Sequence, residues 1–118
     1  MEKYEEIMDA LKVSTDEAVA EAERVLEEAN DSIIGIAKVQ DSITVTERMF
    51  YPIKIMPISV EGEAEQYQEP ERINAMAAQV ESQCRDRIES ILEKLRDREK
   101  QMYDNGVRGD SISSYRFR

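Results

Sequence analysis

The chain contains no histidine, no tryptophan and a single cysteine, Cys84, in 118 residues. The missing histidine removes the commonest general base and the commonest transition-metal ligand. A lone thiol cannot close an internal disulfide and suits a reducing compartment. Aromatics are limited to two Phe and five Tyr, so few side chains are available to wall a deep pocket. No stretch approaches the roughly 20 apolar residues that a bilayer-spanning helix needs, and Met1 is followed by Glu2, Lys3, Tyr4 and Glu5 in place of a basic start and an apolar run. Carboxylates are plentiful, but none forms a pair flanked by apolar residues of the kind that tunes acid-base work. The expectation is a soluble, unprocessed protein without enzymatic activity, cofactor, metal or membrane partner.

What the chain has is charge, and it is unevenly spread. Residues 1–71 hold eighteen acids against six bases, a balance of −12, whereas residues 72–118 hold eight acids against ten bases, a balance of +2. An acidic body gains nothing from counterion release on a phosphate backbone, which argues against ordinary DNA binding. With 36% charged and 41% apolar residues, the composition favours elongated helices with wide solvated faces and a thin core.

Tyr4, Ile7, Met8 and Leu11 fall at helical spacing, and the Ser14-Thr15-Asp16-Glu17 stretch reads as a capping box. The expectation is a short helix, a break, and a second helix carrying the small-residue stripe Ala18, Ala22, Val25, Leu26 and Ala29, which ends near Asn30. From 31 to 60 the texture turns rich in Ile, Val and Thr. Ile43 and Val45 alternate with Thr44 and Thr46, and Ile53 and Ile55 keep the same spacing, predicting a small β element of two or three short strands with Pro52 and Pro57 placing the last at an edge or in an extended arm. The acidic stretch 61–71 reads as a solvated connector, lacking the ligand spacing of a calcium loop.

Pro70 suits the first turn of a helix, after which Ile73, Ala77, Val80, Cys84, Ile88, Ile91, Leu95 and Met102 recur at steps of three, four or seven. Such a helix over 71–104 is about 50 Å long. Its second half is charged on most faces, and such a helix either bridges through solvent or finds its burial against another chain. Cys84 lies on the apolar stripe and reads as a core residue. Asn105 and Gly106 mark the helix end. The fold class is thus mainly α with a small β element: one helical domain over 1–104 with a β insertion at 31–60, and a separate tail over 105–118.

In that tail Ser111, Ser113 and Ser114 are interleaved with Ile112, Tyr115 and Phe117, while Arg108, Arg116 and Arg118 supply positive charge. A polar and apolar alternation of this kind can add to the edge of a partner's sheet. These nine residues are the candidate partner-binding set. The triplet Arg108-Gly109-Asp110 matches a cell-adhesion motif, but three residues recur by chance too often to carry that reading.

Two stretches together resemble a known family. The opening YEEIMDALKVSTDEAVAEAERVLEEANDSI is similar to the start of the head-to-tail connector, or adaptor, proteins of tailed bacteriophages, and the closing GVRGDSISSYRFR resembles the tails with which many of them end. The resemblance implies a homo-oligomeric ring, usually of twelve copies, made in the host cytoplasm and seated in the virion neck. Its tails would engage the portal protein, its far face a tail or stopper protein, and DNA would only pass through its channel. The strand-like middle and the long charged helix depart from the family pattern, and no family residue is carried onto 31–104. The acidic composition also suits a DNA mimic or small inhibitor that binds a basic host protein, or a generic helical assembly factor. A mimic would compete with nucleic acid as a monomer or dimer, whereas a ring component acts only on its platform.

Overall fold

The computed structural model describes residues 2–51, 53–58 and 69–107. Three helices account for most of them: α1 (Glu2–Glu28), α2 (Ile33–Phe50) and α3 (Pro70–Asp104). The molecule is elongated, 65 × 27 × 18 Å, with α3 packed against both other helices. Cross-links fix the directions. Asp16 pairs with Arg87 and the Ala29 carbonyl meets Arg98, so α1 runs parallel to α3. Glu47 pairs with Arg96 and Gln40 donates to the Tyr103 hydroxyl, so α2 runs antiparallel to it.

The expected break after the first short helix is absent, and α1 continues through Ser14 as a single element of 27 residues. No Gly or Pro interrupts 2–28. The Thr15 hydroxyl, fully buried, donates to the Leu11 carbonyl one turn back at 2.8 Å, satisfying itself inside the helix instead of capping a new one. The capping-box pattern is therefore present without a helix start.

The β element expected over 31–60 is likewise corrected. Residues 33–50 form α2, and no strand occurs among the described residues. The burial pattern gives the reason: Ile36, Val39 and Thr46 are buried and Ile43 and Phe50 half-buried, a 3, 4, 3, 4 spacing, while Val45 is 63% exposed. The Ile/Val/Thr composition imitated a two-residue period that the core does not use. β-branched residues cost a helix only a few tenths of a kcal/mol each, and burial of one face outweighs that. Ser32 caps the N-terminus, its hydroxyl accepting from the Gly35 amide at 2.9 Å. Gly35 itself is required by close approach, because a Cβ there would lie 2.0 Å from the Asn30 carbonyl oxygen.

Residues 53–58 are extended, and Ile53, Ile55 and Ile58 are buried while Lys54 and Met56 are exposed. The two-residue period holds only from Ile53 to Met56, since Pro57 is exposed and Ile58 buried, and the segment lies on a helix and not in a sheet. Side chains of α3 take over the role of a neighbouring strand: Arg85 donates to the Ile53 carbonyl at 2.7 Å, Glu81 accepts from the Ile55 amide, and Asn74 accepts from the Ile58 amide at 2.8 Å. Arg85 also stacks over the Phe50 ring at 4.9 Å.

The long helix buries its apolar stripe within its own chain, while most of its charged positions stay exposed. Toward its N-terminal half Ile73, Ala77, Cys84 and Ile88 pack with Tyr4, Met8, Ile53 and Ile55. Toward its C-terminal end Ile91, Leu95 and Met102 pack with Ala22, Ala29, Ile36 and Val39. Cys84 is buried at 3% exposure, as its place on the stripe predicts. Three apolar positions per two turns suffice to hold a helix that is otherwise charged.

Candidate docking surface

The end of α3 fixes where the tail begins. The Val107 amide donates to the Met102 carbonyl and the Gly106 amide to the Tyr103 carbonyl, both at 2.9 Å, and Gly106 adopts φ +89°. This six-to-one and five-to-two pairing is the Schellman arrangement, and Val107 and Met102 join the same apolar cluster, as that motif favours. The left-handed residue falls on Gly106, as its identity predicts.

The same corner is tied to the α1–α2 turn. Arg98 reaches the Asp31 carboxylate at 3.0 Å and the Ala29 carbonyl at 3.3 Å, and the Asn105 side chain donates to Asp31 at 2.9 Å. A guanidinium at the C-terminal end of α1 also opposes the negative pole of that helix. The chain is thus held firmly up to residue 107. Arg108, Ser111, Ile112, Ser113, Ser114, Tyr115, Arg116, Phe117 and Arg118 lie outside the described residues, as does most of the acidic connector, 61–68.

A second feature escaped the sequence reading. Between α1 and α2 runs an open groove of about 640 Å³ whose floor includes Ala18, Ala22, Val25, Thr46 and Met49. The stripe of small residues on α1 predicts close packing, but only part of it is used: Ala22 and Ala29 are buried, whereas Ala18, Val25 and Leu26 are half-exposed. Exposed Ile34 and Val45 continue the apolar surface along α2 at helical spacing. The groove was legible only as an apolar stripe wider than one neighbour covers.

Its rim is acidic. Glu17, Glu21, Glu28 and Asp41 line it against Arg24 and Lys38, a balance of −2. Arg24 bridges Glu21 and Glu28, reaching the latter at 2.8 Å. The hydrogen bond from Arg24 holds the Glu21 carboxyl below the usual range, opposed by desolvation and aided by the guanidinium charge, and the two glutamates push Arg24 up. Beyond the groove α1 carries seven further acids against two bases, a balance of −5. Among the described residues no group of three or more potential metal ligands converges, and no helix is long and apolar enough to cross a membrane.

No family model matches the chain, and no curated protein or solved structure is significantly similar to it.

Proposed function

We propose that this chain is a ring-forming head-to-tail adaptor of a tailed bacteriophage, a structural protein of the virion neck that docks on the portal through residues 108–118 and extends the DNA channel toward the tail. The observation that carries the reading is the junction at Gly106. A helix of 35 residues ends in a closed cap anchored to the α1–α2 turn, and directly beyond it the sequence changes to an alternating, basic segment unlike the rest of the chain. That is the layout of a firm body with a docking arm. The acidic surface of α1 suits a channel or solvent-facing wall, since negative charge repels passing duplex and keeps it from adhering.

The test is removal of residues 108–118, leaving the Val107 cap contact in place. The shortened chain is expected to fold and to fail to join its particle. Normal incorporation overturns the docking-arm reading. Mass measurement of the protein alone and with the portal gives the stoichiometry, with about twelve copies expected in the assembled ring.

The exposed acids along α1 favour one rival, the DNA mimic. A mimic displaces duplex from a basic protein while remaining a monomer or dimer, so competition in a gel-shift assay and the oligomeric state on the portal separate the two.

A further inference from the structure

We infer that the groove between α1 and α2 is a cradle for the chain's own tail, residues 108–118, before assembly; the inference rests on the reading of that tail as a docking arm. Three observations converge on this occupant. The first is position. Arg98, Asn105 and Val107 fasten the end of α3 to the turn that joins α1 to α2, so the tail starts at the same end of the bundle as the Glu28 end of the groove.

The second is length. From Glu28 to Ser14 the groove follows fourteen residues of α1, about 21 Å at the helical rise. Eleven extended residues reach about 36 Å. Passing around one helix, roughly 10 Å across, leaves enough to fill the groove and little more.

The third is chemistry. The tail holds three bases against one acid, and the groove lining has the opposite balance of −2. Ile112, Tyr115 and Phe117 are the apolar side chains that a floor of Ala18, Val25 and Met49 lacks. Seated there, the aromatics are covered until the portal competes for them, which keeps free copies from associating through their tails.

The test uses the full chain. A nitroxide placed on Ser114→Cys reacts at that position alone under native conditions, because Cys84 is buried. It is expected to broaden the amide resonances of Ala18, Glu21, Asp41 and Val45 and to leave Ala75 and Met76 on α3 sharp. Val45→Lys, at a 63% exposed position, is expected to leave folding intact and to lower the ratio of occupied to open groove by about tenfold, the effect of losing about 1.4 kcal/mol. Glu27→Lys, exposed on α1 and outside the groove, is expected to leave the broadening in place. Uniform broadening, broadening centred on Lys94 and Arg96, or equal effects of the two substitutions overturns the inference. So does broadening in a mixture of labelled and isotope-enriched unlabelled chains, which would assign the groove to the tail of a second copy. Each outcome is independent of particle incorporation, so the cradle and the docking arm fail separately.

Discussion

The Arg98 guanidinium ties α3 to the α1–α2 turn at one end of the bundle: it lies 3.0 Å from the Asp31 carboxylate in the turn and 3.3 Å from the Ala29 carbonyl just beyond α1. Its side chain is 22% exposed, against 57% for Arg96 in its pair with Glu47. Arg98→Ala takes the side-chain donor from the Ala29 carbonyl and leaves Asp31 with Asn105 alone, and is expected to cost about 1–2 kcal/mol. Arg96→Ala breaks an exposed pair and is expected to stay within about 0.5 kcal/mol. Denaturant unfolding of the two variants checks the contrast, and equal losses would contradict it.

The two informative glycines predict different costs by different mechanisms. At Gly35 an added methyl meets the Asn30 backbone oxygen at 2.0 Å, and backbone cannot swing aside as a side chain can. Gly35→Ala therefore has to open the α1–α2 turn, at a cost of about 1–3 kcal/mol or more. At Gly106 nothing lies within 4 Å, but φ is +89°. Gly106→Ala pays conformational strain alone, about 1–2 kcal/mol. Thermal melts should rank Gly35→Ala below Gly106→Ala, and a crystal structure of the former should show the turn displaced.

The Glu21 carboxyl is held low by Arg24, and both groups are fully exposed, so the effect belongs to the local helix surface more than to global stability. The sign follows from the depressed value. Whatever stabilisation the ionised pair gives is complete above the unfolded glutamate value near pH 4.3, and is lost as pH falls through the lower folded value. Arg24→Ala is expected to raise the Glu21 titration toward the ordinary range. An NMR titration that leaves Glu21 unmoved in that variant would remove Arg24 as the cause.

The period of burial and the kind of residue carry separate information, and they disagree in α2. In α3 the steps from Ile73 to Met102 were readable because apolar residues there stand among charges, and the cap at Asn105 and Gly106 was readable because glycine alone enters φ +89° without strain. In α2 apolar and β-branched residues occupy both faces, so exposed Val45 and buried Thr46 invert the reading that hydrophobicity suggests. Only the neighbours decide it: Thr46 is buried and donates its hydroxyl to the Ser42 carbonyl at 2.7 Å. The groove was hidden for the complementary reason. A stripe such as Ala18, Ala22, Val25 and Ala29 does not say how much of its width a partner helix will cover. Val45→Thr should therefore be nearly neutral and Thr46→Asp costly, by about 2 kcal/mol or more, since it buries a charge. The reverse ranking by thermal melt would restore the strand register.

The acidic surface makes the last prediction, and it bears on the proposed channel. The acids of α1, including Glu5, Glu6, Asp9, Glu23 and Glu27, are exposed on a helix about 40 Å long. Such a row repels duplex DNA with no compensating counterion release. The intact protein is expected to show no duplex binding at physiological salt. Lysine at Glu5, Asp9 and Glu23, all exposed, should leave the fold unchanged. It should also bring in duplex binding whose affinity falls steeply as salt rises, because each new cation now releases a counterion. In assembled particles the same triple variant should slow DNA release if α1 lines the channel, and leave release unchanged if α1 faces outward. Tight duplex binding by the unmodified chain would contradict both the channel reading and the mimic.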